Sequence, residues 1–186
     1  MRETSSFADL PQRLFLDSST LQTMHDYGGY LYENEPISRT DQIHRDKSGI
    51  EKLEGLRLVM QVAERAPFQF ALSDNSFREV QSSGRDSYLQ WAYDVLDHWH
   101  ACLEDSGEPN PDTSLLFKLE SSAFGYLGVG DRSLLKDAIA LDCDAFLTME
   151  NKLPKNAGHI QRELGLRVLT PASLWRLLAP WAALFR

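Results

Sequence analysis

Asp131 and Glu150 bracket the stretch GDRSLLKDAIALDCDAFLTMENKL, residues 130–153, in which a helical pattern is followed by a short apolar run. A helix of about 11 residues carries the chain roughly 16 Å in one direction. The run Ala145 to Thr148 reads as a strand that returns alongside it to bury its apolar side chains. Helix start and strand end then share one edge of the domain, and both carry a carboxylate. Crowded carboxylates repel, which raises some of their pKa values and destabilises the empty edge. A hard divalent cation removes that cost. Bound there, it orients or deprotonates a water and stabilises charge on a phosphodiester, so the chemistry implied is metal-assisted hydrolysis of a phosphate ester.

Two further acids belong to the same edge if the fold is a parallel sheet. Arg13 to Leu16 reads as a buried strand closed by Asp17 and the hydroxyls of Ser18, Ser19 and Thr20. Phe68, Phe70 and Leu72 alternate as a second strand, and the cluster Ser73 to Ser76 opens a helix carrying Glu79. Functional groups in open parallel sheets gather beyond the C-terminal ends of the strands. Asp17, Glu79, Asp131 and Glu150 therefore come from four segments toward one edge. Each also has a plain structural use: Asp17 and Asp131 as helix N-caps, Glu79 as the capping-box partner of Ser76, Glu150 as a solvated loop residue.

The remaining elements supply the layers. A helix is expected near Thr20 to Met24, followed by an irregular surface excursion over residues 27–47 in which Gly28 and Gly29 act as a hinge. Ser48-Gly49-Ile50-Glu51 fits a capping box for a helix running to Ala63, and Pro67 stops it. Longer patterns predict helices over Ser87 to Glu104, Leu115 to Phe124 and Pro154 to Leu164, with a strand Leu166 to Leu169. Thr170 and Pro171 then cap a last helix that leads into an apolar tail, residues 171–186. Strands alternating with helices imply an α/β fold with a mostly parallel central sheet and helices on both faces.

Bulk properties bound the function. At 186 residues the chain is expected to form one domain with an insertion. Nineteen Lys and Arg against 27 Asp and Glu give a net charge of −8, so any polyanion must bind at a local basic patch or through metal ions. Arg78, Arg132 and Lys152, with Arg85, Lys136 and Lys155, lie near the proposed edge in sequence and are candidates for phosphate contacts. Asp137 and Asp144 are placed on the solvent face or in the helix–strand turn. Cys102 and Cys143 fall in apolar patterns without paired spacing and read as core thiols. No secretory h-region or membrane-length apolar run is visible, which gives the expectation of a cytoplasmic protein without membrane association. The apolar tail packs on the core or buries against a second copy or another protein.

LFLDSST, ALSDNSFREV and the 130–153 stretch resemble the three acidic motifs of the PIN-domain nuclease family. On that pattern Asp17, Glu79, Asp131 and Glu150 fall on the acidic, metal-holding positions, with Glu150 where the family usually has aspartate. Thr148 falls on the hydroxyl position beside the fourth acid, and Ser18 joins it in orienting the carboxylates. The resemblance implies a Rossmann-like three-layer α/β/α sandwich, dependence on Mg²⁺ or Mn²⁺, and cleavage of RNA. Many members of that family are toxins neutralised by an antitoxin, which makes an antitoxin the expected protein partner, and the apolar tail adds a homodimer as a second expectation. The competing expectations are a catalytically inactive PIN-like module that works through protein partners, and a nuclease acting on DNA or flap structures.

Overall fold

The computed structural model describes residues 6–104, apart from 64 and 67, and residues 111–185. Four short strands, β1 (Arg13–Leu16), β2 (Gln69–Ala71), β3 (Ala145–Leu147) and β4 (Arg167–Leu169), form one sheet in the order β2-β1-β3-β4. Every pairing is parallel, with Phe15 opposite both Ala71 and Phe146, and Phe146 opposite Val168. Parallel strands need long crossovers, and here helices supply them.

Alternate strand residues go to opposite faces. Leu14, Leu16, Phe70, Leu72, Ala145 and Leu147 join one apolar cluster. It is completed by helices α1 (Ser18–Asp26), α2 (Gly28–Glu33), α3 (Gly49–Ala63), α4 (Asp74–Ser82), α5 (Asp86–Glu104) and, from the C-terminal end, α9 (Pro171–Leu178). Phe15, Ala71, Phe146 and Val168 join the other, with α6 (Thr113–Leu119), α7 (Val129–Ala140) and α8 (Ala157–Leu164). Phe15 and Phe146 stack at 5.4 Å between ring centroids and are fully buried, worth about 2–3 kcal/mol each in transfer from water. Helices thus cover both faces of a four-stranded parallel sheet.

Several elements differ from the sequence expectation. The 27–47 excursion is exposed over most of its length, yet it contains α2, so Gly28 and Gly29 open a helix instead of a hinge. Leu31 is buried, the Tyr30 hydroxyl donates to Glu54, and Asn34 ends the helix in the left-handed region at φ 58°. Residues 115–124 do not form one helix: α6 stops at Leu119 and a separate 3-10 turn covers Ser122–Phe124. The Ser48 hydroxyl donates to Asp46 Oδ1 at 3.0 Å. Thr170 caps α9 as expected, accepting from the Ser173 N–H at 3.2 Å. A Cβ at Gly55 would come within 2.6 Å of the Ala172 backbone, so glycine is what lets α3 and α9 pack at this distance. The tail forms a 3-10 stretch, Ala179–Phe185, with Trp181 and Phe185 against Phe7, while Leu184 is exposed. Pro67 and the Cys102 side chain lie outside the described residues. Cys143 is half-buried, and burial pushes its thiol up to about 12, which makes it unreactive. Among the described residues no helix is long and apolar enough to cross a membrane.

Candidate functional site

With the order β2-β1-β3-β4, the chain leaves β1 for β2 on one side and returns through β3 on the other. The crevice between the C-terminal ends of β1 and β3 is therefore the topological switch point, where ligands of open α/β sheets bind. Leu16 pairs with Leu147, and the Asp17 N–H continues the ladder to the Leu147 carbonyl at 3.0 Å. Asp17 and Thr148 consequently leave the sheet side by side. The Thr148 hydroxyl donates to Asp17 Oδ2 at 2.6 Å, and the Ser19 hydroxyl donates to the same oxygen at 2.6 Å. Asp17 is buried, 8% exposed, and makes no side-chain cap to α1. Burial pushes its carboxyl up; the Ser19 and Thr148 hydroxyls pull it back, and the negative charge of Asp131 adds to the push.

Glu79 reaches the same crevice from α4. The capping box of α4 is made by Ser73 and Ser76, so Glu79 has no capping role and accepts instead from the Ser18 hydroxyl. Its carboxylate lies over the first turn of α7, where a Cβ added at Gly130 would be 3.6 Å from Glu79 Oε1. An anion is well placed at that positive end of the helix. Asp131 is not the N-cap of α7: the helix starts two residues before it, Gly128 occupies the cap position, and Asp131 stands in the first turn. Val129 and Gly130 are poor helix formers, which is why the sequence pattern sets the start too late.

Glu150 is exposed on the loop after β3, and its backbone N–H donates to the Thr148 hydroxyl at 3.1 Å. Desolvation pushes its carboxyl up first, and the charges of Asp17, Asp131 and Glu79 push it further, with Lys152 opposing. One carboxylate thus feels the other three. Thr148, itself buried, links the Asp17 side chain to the Glu150 backbone through one hydroxyl.

The basic candidates divide. Lys152 is exposed and its Nζ lies 3.3 Å from Asp131 Oδ2. Arg78 is exposed in the middle of α4. Arg132 turns away from the crevice, donating to the Phe124 carbonyl at 3.1 Å and facing Glu120 at 3.6 Å. Arg85 is paired with Asp26 and Lys136 with Glu120, so both are committed elsewhere. Asp144 lies exposed in the helix–strand turn, as expected, and accepts from the backbone N–H groups of Gln12 and Arg13, whereas Asp137 is half-buried and accepts from Ser73 and Asn75.

Two residues at the crevice escape a pattern reading. Ser19 is one of three successive hydroxyls, and only the geometry picks it out as the second donor to Asp17 and as the acceptor of the Met149 N–H at 3.2 Å. Lys52 is 2% exposed; its ammonium donates to Asp46 Oδ2 at 2.7 Å and to the Met149 carbonyl at 2.6 Å. Its signal was available, since Lys52 stands four and seven residues before Leu56 and Val59, on the buried stripe of α3.

The donor set at the crevice consists of carboxylate and hydroxyl oxygens, the chemistry that suits Mg²⁺ or Mn²⁺ in preference to softer ions. Among the described residues, no three His, Cys, Asp or Glu side chains are already arranged to hold a metal ion. Instead the acids hold displaceable partners: Ser19 and Thr148 on Asp17, Ser18 on Glu79, and the flexible ammonium of Lys152 on Asp131. The protein matches no family model, no curated protein and no solved structure, so the site's own geometry and chemistry carry its interpretation.

Proposed function

We propose that this protein is an Mg²⁺- or Mn²⁺-dependent endoribonuclease of the PIN-like type its acidic motifs resemble. The observation that carries the reading is geometric: Asp17 held by Thr148 and Ser19, Glu79 held by Ser18 over the first turn of α7, and Asp131 in that same turn meet at the switch point of a parallel sheet. Asp17, Glu79 and Asp131 would hold the metal, with Glu150 completing the set. Bound there, a divalent ion supplies an activated water and neutralises charge on the phosphate.

The chain's own groups do the rest. Asp17 is held in one orientation by the Ser19 and Thr148 hydroxyls on its Oδ2, which fixes the carboxylate at the crevice. Ser18 holds Glu79 in the same way. A carboxyl raised by burial and like charge is suited to proton transfer, and Glu150 is both raised and exposed to incoming water. In the net reaction a water oxygen bonds to phosphorus and one P–O ester bond breaks; Glu150 would take a proton from the attacking water and release it to solvent, from which the leaving oxygen is protonated, so the carboxylate is regenerated.

The test is cleavage of labelled single-stranded RNA in Mn²⁺ by wild type and by Asp17→Asn. Even partners outside a metal's direct ligands cost about 10- to 100-fold when removed, so Asp17→Asn is expected to lose at least about 100-fold. Absence of cleavage by wild type across several RNAs overturns the reading, and cleavage of DNA alone reassigns the substrate. The Lys152 ammonium on Asp131 favours a second reading, a PIN-like module whose cation is its own lysine and which works through protein partners. Mn²⁺ titration separates the two, because only the nuclease shows affinity that Asp17→Asn removes.

A further inference from the structure

The loop after β3 uses four successive residues in four directions. The Met149 carbonyl accepts from Lys52, the Glu150 backbone N–H donates to Thr148 at the crevice, Asn151 bonds to Asp46 and Ser48, and Lys152 pairs with Asp131. On the Asn151 side lies an open groove. One wall is residues 42–48 of the exposed excursion, and the other is Asn151 with the 3-10 turn Leu153–Asn156. Lys52, buried between them, ties Asp46 on one wall to Met149 beside the other, and Asn151 Nδ2 adds a bond to Asp46 at 3.2 Å.

The charge of this groove is opposite to that of the whole protein. Arg45, Lys47 and Lys155 line it and are exposed, and none of the three is in an ion pair among the described residues. Asp46 is its acidic lining residue, and that charge is taken up by Lys52, which holds the Asp46 carboxyl well below the usual range. Three unspent cations thus stand together on a chain of net charge −8. The lining holds no aromatic ring and Pro154 is its one apolar residue, so it offers charge and hydrogen bonds and no ring for a base to stack on. Contacts of this kind position a nucleic acid without reading its sequence.

We infer that Arg45, Lys47 and Lys155 form a track for the phosphate backbone of a single-stranded RNA, leading it past Asn151 onto the crevice where Glu150 stands. The inference rests on the ribonuclease reading for the identity of the strand. A single strand fits because its charges are regularly spaced and it passes from the groove to the crevice within one residue of this loop. It also gives the excursion a use: residues 42–48 bring two of the three cations.

Anisotropy of a labelled single-stranded RNA of about 20 nucleotides, measured in EDTA, reads the track without cleavage. Wild type is compared with Arg45→Ala/Lys47→Ala/Lys155→Ala and with Arg162→Ala, an exposed cation on α8. The triple variant is expected to bind at least about 10-fold more weakly. Its log–log dependence on salt should be shallower by about 2, since each phosphate contact to a single strand contributes roughly 0.7. The replaced side chains are exposed, so an unchanged thermal midpoint accompanies the loss. Saturable RNA binding absent from wild type, or a triple variant that behaves like Arg162→Ala, overturns the track. Polyglutamate bound as tightly as RNA, with the same dependence on the three cations, overturns the nucleic-acid assignment. Failure of the two readings is distinguishable: RNA held by the track but never cut in Mn²⁺ sinks the nuclease alone, and equal cutting by wild type and triple variant sinks the track alone.

Discussion

Asp144 and Asp17 stand at opposite ends of the same sheet and live under opposite conditions. Asp144, before β3, accepts from two backbone N–H groups, Gln12 at 2.9 Å and Arg13 at 2.8 Å, and so pins the start of β1. Asp137, one helix face away, joins α7 to the cap of α4 through Ser73 and Asn75. Asp17, beyond the end of β1, is buried, accepts from hydroxyls, and is repelled by Asp131. Asp144 and Asp137 tie one element of the fold to another through their donors. The acids to which the proposed function gives the metal stand in each other's fields, a cost in stability that selection for function tolerates. The same segment, 131–150, contributes to both classes, so charge counts along the sequence cannot separate them.

Removing an acid of the first class should therefore destabilise, and the largest effect belongs to Asp46. Asp46→Ala leaves the Lys52 ammonium buried without a counter-charge, which costs about 3 kcal/mol. Lys52→Met costs less, because the carboxylate it abandons is a third exposed and regains water. Urea unfolding measures both, and a loss under about 0.5 kcal/mol for Asp46→Ala would break the distinction. Asp144→Ala comes next. It strips partners from two N–H groups at an exposed strand entrance, for about 1–2 kcal/mol, and leaves Mn²⁺ affinity untouched. Altered Mn²⁺ affinity in that variant would place Asp144 with the crevice acids instead.

The legible part of this molecule is what period and strand order determine. Apolar runs located β1 and β3, and parallel packing then obliged Asp17 and Thr148 to emerge together. Rival hydrogen bonds were not legible. Ser73 and Ser76 take the α4 capping box between themselves, a choice that leaves Glu79 free for Ser18 but that spacing alone does not make. Likewise α6 stops at Leu119 without a Gly or Pro, and α2 forms across two glycines because Leu31 finds a buried place. In both, tertiary packing overrides local propensity. Lys52 shows the converse case: a lysine on an apolar stripe is a signal of a buried partner, here Asp46, six residues upstream.

Acids of the second class should behave in the opposite way, and the smallest predicted effect tests this directly. Glu150→Gln removes one charge from a repelling group, so at pH 7 it should stabilise the metal-free protein. Because Glu150 is exposed and screened, the gain is less than about 1 kcal/mol, a rise of roughly one to three degrees in melting temperature. The pH dependence gives the sign. A carboxyl raised on folding binds more protons in the native state than in the unfolded one, so its contribution falls as pH rises through the folded pKa. The variant's advantage is then greatest near neutrality and closes as the pH falls toward the ordinary glutamate value of about 4.3, where wild type protonates Glu150 for itself. Asp46, lowered by Lys52, runs the other way and loses its contribution only in stronger acid. Melting curves of wild type and Glu150→Gln between pH 4 and 7 should converge at the acid end; a constant offset, or a variant that melts lower at pH 7, would return Glu150 to the solvated loop residue it resembles in sequence.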